Sequence, residues 1–439
     1  MKIGPLAVAA LAALAAMSCA TPQVSQGPGR TAEIASAQAF EIALHDGDLA
    51  FVQHVAADRH RPHAEAAPAR AALAYWWRQD EPAGAALSTA ARDVTLAPGL
   101  HRNALLMLSG LRMRQGRYAE AATALDAVLP LLGDEDERRE TQEARDFDVA
   151  LRDVPPMRAI VSGPGSVPLT RDLAGLTRGP VTINDGALDA IIDTGSSVST
   201  ISESNARRLG LRILPAHVSI GTATSSHASA GLAVADSVSF GGARFHNVVF
   251  LVMPDSALTF ANGAYVVHGI IGMPILLELG RIEYAKEDER ETLSYARTGG
   301  RPGANSNLIV ESEEPFTYVD VDGSGQPLRL LIDNGSVSSH LNQRFVAERP
   351  AIIATARRQS ITRTGAAGAE TQDALKLTSL VLRMGQTTAS IADVDVIDDH
   401  KTNRHGDLGL DVLRTAPGYV LNFEAMTFAL QSRDQAPGR

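Results

Sequence analysis

A duplication in the last two thirds of the chain constrains the fold more than any other feature of the sequence. An apolar run, Ala190-Ile191-Ile192, leads into Asp193-Thr194-Gly195-Ser196-Ser197, and much later comes His268-Gly269-Ile270-Ile271-Gly272. The pattern then recurs: Leu330-Leu331-Ile332 leads into Asp333-Asn334-Gly335-Ser336, and later comes His405-Gly406-Asp407-Leu408-Gly409. Gly272 follows Asp193 by 79 residues and Gly409 follows Asp333 by 76. In each copy a stretch of small polar residues (222 to 229; 363 to 372) precedes apolar runs around Gly241-Gly242 and Met384-Gly385. One Asp-x-Gly is an ordinary turn, but two of them with distant partners at matched separation describe a repeated folding unit.

The surroundings agree. Short apolar runs broken by Gly, Asn, Asp and Ser read as strands and turns, and Val181 to Ile183, Asn184-Asp185-Gly186 and Leu188 to Ile192 carry the hairpin signal. The Gly/Pro-rich stretch 297 to 303 divides this β region into two similar pieces, and Ser202 to Leu209 reads as a short helix ended by Gly210. Upstream, residues 31–151 are rich in Ala, Leu, Arg and Glu with apolar positions at helical spacing. Turn signals at Gly47, Asp80 and Gly116 recur at intervals close to 34 residues. Around Gly116-Arg117-Tyr118-Ala119-Glu120-Ala121 the pattern resembles the tetratricopeptide repeat, with Ala121 at a tight contact and Leu125 in the groove. A generic helical bundle is the competing reading. Trp76 and Trp77 read as packing residues.

The duplicated half resembles the aspartic peptidases of the pepsin and retropepsin clan over roughly residues 175 to 435. The absence of a flap tyrosine and the small residues at 222 to 229 and 363 to 372 make it closer to bacterial retropepsin-like units in tandem. The resemblance implies a multidomain chain, all-α repeats followed by an all-β two-lobed acid-protease fold. The expected division is a signal segment at 1–19, helical repeats at 31–151, and lobes at 155–300 and 304–435. It further implies Asp193 and Asp333 as catalytic, with Thr194, Gly195, Ser196, Asn334, Gly335 and Ser336 supporting them. Ile270, Ile271 and Gly272 clamp the first loop, and Leu408 and Gly409 the second.

Physical chemistry gives those residue types their reason. Two carboxyls in close contact cannot both ionise, so the pair holds one proton and offers both a base and an acid; the general rule is itself illustrated by this clan. The glycines allow close backbone approach and unusual dihedrals. Thr194 is expected to tie its loop to the other, and Ser196 and Ser336 to donate to the outer carboxylate oxygens. Two positions depart from the clan. Asn334 replaces the usual Thr or Ser, so that an amide must supply the cross-lobe bond, and Asp407 stands where an apolar residue is usual. These departures leave open a second reading, a catalytically degenerate adaptor that holds a peptide in its groove. Asn334→Thr is expected to maintain or raise activity.

The first residues add a location. An apolar stretch from Leu6 to Ala16, too short to span a bilayer, reads as an export signal, and Cys19, the single cysteine, follows it as in the lipobox of bacterial lipoproteins. An exported, periplasmic, lipid-anchored protein is expected; cleavage after Ser18 would leave it unanchored. The net charge of −10 without a Lys/Arg run excludes nucleic acid as an expected partner. Neither His-Glu-x-x-His, a phosphate-cradling Gly loop nor Gly-x-Ser-x-Gly occurs, so that no metal or cofactor is implied. A protein or peptide substrate is expected, with a partner protein at the repeats. The β region is expected to cleave small peptides without the helices.

Overall fold

The computed structural model describes residues 38–432 apart from 59, 61–62, 223–224, 322, 324, 366–367, 385–386 and 399–403. Cys19 and the export signal lie outside the described residues, as do residues 31–37 of the helical region.

After a helical stretch at 38–45, six helices follow: Leu49–Ala57, His63–Trp76, Asp80–Ala90, Pro98–Arg114, Tyr118–Val128 and Glu135–Leu151. Each packs against the next along the chain. Local chemistry sets their ends. Asp48 caps the first by accepting from Phe51 N, and Asp134 caps the last by accepting from the N–H groups of Asp136 and Glu137. Gly47 and Gly116 turn the chain with φ of +63° and +67°, a conformation that favours glycine. Ala121 is fully buried, and Tyr118 and Leu125 nearly so. The helices start near the three turn signals of the sequence. Helical hairpins are therefore present, and a repeat family is only suggested by them.

The β region follows Val154. Strands Thr177–Ile183 and Gly186–Ile192 form the expected hairpin, with Asn184 and Asp185 both at positive φ in its tip. Strand Gly269–Ile271 returns to lie parallel to 186–192, with Ile271 opposite Ile192, and antiparallel to Ser199–Ser202. The second copy repeats this. Strand Gly406–Leu408 lies parallel to Leu328–Ile332, with Leu408 opposite Ile332, and antiparallel to His340–Leu341. The short helices Glu203–Arg208 and Gln343–Glu348 follow the two loops. The strands Gly418–Asn422 and Thr427–Leu430 leave the second half and join the first half's sheet by pairing 418–422 with Arg281–Glu287. A backbone ladder thus ties the halves together, and one apolar cluster runs through both.

The helices are not a separate module. Phe40, Trp76, Leu100 and Leu111 share an apolar cluster with Ile309, Phe316 and Leu331 of the second half. Tyr118, Leu151 and Val154 share another with Ile191, Leu232 and Met253 of the first half. Ile191 and Leu331 each stand two residues before an aspartate of the duplicated loops, so the helical layer backs both strands that deliver them. Polar contacts fix the docking. Trp76 Nε1 donates to Glu311 at 3.2 Å, Ser312 N donates to Tyr75 OH at 3.2 Å, and Arg78 reaches Leu277 O and Glu278 of the first half. The hairpin tip Ser312-Glu313, left-handed at both positions, is thereby held against the helices.

Losing the helices would uncover Ile309, Phe316, Leu331 and the first half's outer face, which bears against cleavage of small peptides by the β region alone. Trp76→Ala should destabilise the whole protein by about 3–5 kcal/mol. Denaturant unfolding followed by far-ultraviolet circular dichroism and by cleavage of a short peptide should then show one transition, shifted together. Peptide cleavage that persists to the parent's midpoint would make the helices independent.

Candidate catalytic site

Each aspartate is held by its own half first. Asp193 N donates to Ile271 O at 3.0 Å and Met273 N to Ser196 O at 2.8 Å; in the second half Asp333 N donates to Leu408 O at 2.9 Å and Leu410 N to Ser336 O at 2.9 Å. Gly272 and Gly409 pass so close to the loops that a side chain could not be inserted. A Cβ on Gly272 would lie 2.5 Å from Ser196 O, and one on Gly409 2.6 Å from the Ser338 carbonyl carbon. Two residues absent from the sequence reading complete the clamp. Gly272 N donates to Ser199 Oγ at 3.1 Å and Gly409 N to Ser339 Oγ at 2.8 Å. Both serines stand six residues after their aspartate, a repeat legible in the sequence.

The halves then grip each other. Thr194 Oγ1 donates to Ile332 O at 2.7 Å and accepts from Asn334 N at 3.0 Å. In return, Asn334 Oδ1 accepts from Thr194 N at 2.7 Å. The amide therefore supplies the cross-half bond. Its Nδ2 makes a further bond, donating to the buried Tyr419 OH at 3.0 Å, and Tyr419 stacks on Tyr284 across the strands joining the halves. Tyr419 carried no signal in the sequence, because its strand belongs to neither repeated loop.

The two carboxyls meet. Each lies against the glycine of the opposite loop, and together they account for both loop glycines. A Cβ on Gly195 would lie 2.4 Å from Asp333 Oδ1, and one on Gly335 2.3 Å from the Asp193 carboxyl. Neither glycine has positive φ. Close approach, not an unusual dihedral, is thus the reason for glycine here. Gly195 N donates to Asp193 Oδ1 at 2.8 Å and Gly335 N to Asp333 Oδ1 at 2.9 Å. The serine hydroxyls do otherwise than expected. Ser196 Oγ donates to Val198 O and Ser336 Oγ to Ser338 O, closing their own turns and leaving the outer carboxylate oxygens to other donors.

Both carboxyls lie deep while keeping partial exposure, and burial is the largest influence on each. It lifts Asp193 to about 6 against the N–H of Gly195, the bond to Asp333 and the backbone of Ser196. Asp333 goes well above the usual carboxylate range through burial, then the charge of Asp193, then that of Asp407, opposed by Gly335 N–H and Arg404. Burial and the charge of a neighbour thus oppose ionisation of both carboxyls at once.

Around the dyad, strands Arg212–Thr222 and Ser225–Phe240 form one long hairpin and Arg357–Gly365 and Gly368–Met384 another, at the two positions read as flaps. Their tips, 223–224 and 366–367, lie outside the described residues. His268 and His405 take equivalent structural places, His268 Nδ1 at 3.4 Å from Asn205 and His405 Nε2 at 2.9 Å from Glu348, each on the short helix after its loop.

Residues 179–275 match the family model described as aspartyl protease, a span that includes Asp193 and Gly272. No curated protein matches the chain. The family match supports a peptidase of the aspartic type acting on protein or peptide substrates.

The second bond of Asn334 changes what its replacement should do. A threonine can still accept from Thr194 N, but it leaves Tyr419 OH buried without its donor. Asn334→Thr should therefore be less stable than the parent by about 1–3 kcal/mol in denaturant unfolding. Adding Tyr419→Phe should recover most of the loss, since the orphaned hydroxyl is then gone. Equal stability of Asn334→Thr and the parent would show that the Tyr419 bond contributes nothing.

Proposed function

We propose that the protein is an aspartic endopeptidase built from two lobes, in which Asp193 and Asp333 activate one water against a peptide bond. The observation that carries this reading is the direct meeting of the two carboxyls inside a reciprocal grip. Nothing in an ordinary pair of β-turns requires two buried acids to share a proton, and burying them together is costly unless the pair is used.

The chemistry follows from the asymmetry of the pair. Asp407 stands on the clamp strand of the second half only, where the first half has Ile270, so that Asp333 is the acid and Asp193 the base. Asp193 takes a proton from water as the water oxygen bonds to the scissile carbonyl carbon. Asp333 gives its proton to the carbonyl oxygen, so that a neutral gem-diol forms and no oxyanion is left unbalanced. Asp193 then passes its proton to the amide nitrogen while Asp333 recovers one from the diol. The C–N bond breaks, and a carboxylic acid and an amine leave.

The adaptor reading takes Asn334 and Asp407 as degenerate positions, with Asn334 the discriminating one. It is not favoured, because the amide keeps the bond to Thr194 N. For location, we propose an exported, periplasmic protein anchored through a lipid on Cys19, acting on exported proteins. The helical region, besides bracing the β region, would present its outer face to a protein partner or substrate.

Asp193→Asn and Asp333→Asn should each lower cleavage of an unfolded protein by at least about 10⁴-fold while leaving the fold intact, and the double change should cost little more, because the pair acts as one unit. Substantial activity in either single variant defeats the dyad. Separately, Cys19→Ser should move the protein from the membrane to the soluble fraction; partitioning like the parent would rule out the anchor.

A further inference from the structure

Asp407 is the charged residue in the clamp, and it occurs in one half only. It sits on the central strand Gly406–Leu408, opposite Leu331 of the strand leading to Asp333 and opposite His340 of the strand leaving that loop. Its neighbour Leu408 accepts from Asp333 N. The equivalent place in the first half is Ile270, opposite Ile191 and Thr200, with no charge. Asp407 is nearly fully buried, and so is its partner Arg404.

Arg404 and His340 both face Asp407. Arg404 Nε lies 2.8 Å from Asp407 Oδ1, yet neither atom is aligned for a hydrogen bond; that bond runs from Arg404 Nη2 to Oδ2 at 3.3 Å. Arg404 is also shared, with Nη1 3.6 Å from Glu314 of the strand Glu314–Val319. His340 Nε2 approaches Oδ2 at 3.4 Å. On the strand leading to Asp333, Arg329 is taken up by Glu311, and His405 by Glu348 of the following helix. Among the described residues, the charged or titratable groups against Asp407 are Arg404 and His340, with Glu314 beyond Arg404. A carboxylate so placed opposes a second negative charge on Asp333 through low-dielectric protein.

We propose that Asp407 is a positioning residue that makes the dyad asymmetric, keeping the shared proton on Asp333 and holding it there into the near-neutral range. The influence of Asp407 on Asp333 already noted is of the matching sign.

The proposal rests on the two-aspartate reading of the site, and its test separates the two. Asp407→Asn keeps size and removes the charge. The pH profile of kcat/KM for an unfolded-protein substrate should lose its alkaline limb about one pH unit lower than in the parent, with the acid limb moved less. In protein carrying ¹³C-labelled aspartate carboxyls, with the Asp333 signal identified through Asp333→Asn, the Asp333 titration should move down by a similar amount. In His340→Gln the alkaline limb should stay or move up, since Asp407 remains. An unmoved Asp333 signal in folded Asp407→Asn overturns the proposal, and so does a downward shift in His340→Gln. A parent without peptidase activity would defeat the enzymatic reading alone, because the carboxyl titration still reports on Asp407.

Discussion

Two buried carboxyls in contact are a source of strain, and the reciprocal bond between Thr194 and Asn334 is the constraint that makes the arrangement possible. Without it the cheapest response to the repulsion is to move the halves apart and let water in. Each loop gives the other a backbone N–H and takes a side-chain acceptor, so neither aspartate can shift without breaking bonds across the interface. Buried bonds of this kind are strong in effect because their loss leaves unsatisfied groups out of reach of water. The glycines belong to the same constraint, since any side chain at 195 or 335 would occupy the space of the opposite carboxyl.

The grip needs stiff backing, and three layers provide it. Closest are the clamp strands 269–271 and 406–408, pinned by Ser199 and Ser339. Behind them the strands 418–422 and 427–430 carry the second half's chain into the first half's sheet and bring Tyr419 to the amide of Asn334. Outermost, the helices cover the strands leading to both aspartates, at Ile191 and Leu331. Precision at a site comes from the packing of the groups that support it, and here the support extends over the helical region.

How much of this could be read from the sequence follows from what a linear pattern records. The duplicated loops, their glycine partners, the hairpin at 184–186 and the helix after the first loop were legible because each is a local motif or a repeat with fixed spacing. Ser199 and Ser339 repeat at the same offset, but a serine in a serine-rich loop has no identity until its partner is known. Tyr419 was invisible because its partner is 85 residues away and has no copy in the first half. The acceptors of the Ser196 and Ser336 hydroxyls are not legible, because the nearest carbonyl of their own turn competes with the carboxylate, a choice that geometry alone decides. What covers the helices is illegible for the same reason. Helical periodicity tells which face is apolar and not what covers it, and here the β region covers it.

The proposed chemistry requires one proton held between Asp193 and Asp333. Neutron diffraction from a deuterated crystal near pH 6 would locate it. The expected result is Asp193 and Asp333 in hydrogen-bonding contact with a single deuteron, carried by Asp333. Two deuterons, none, or carboxyls separated by more than a hydrogen bond would contradict it.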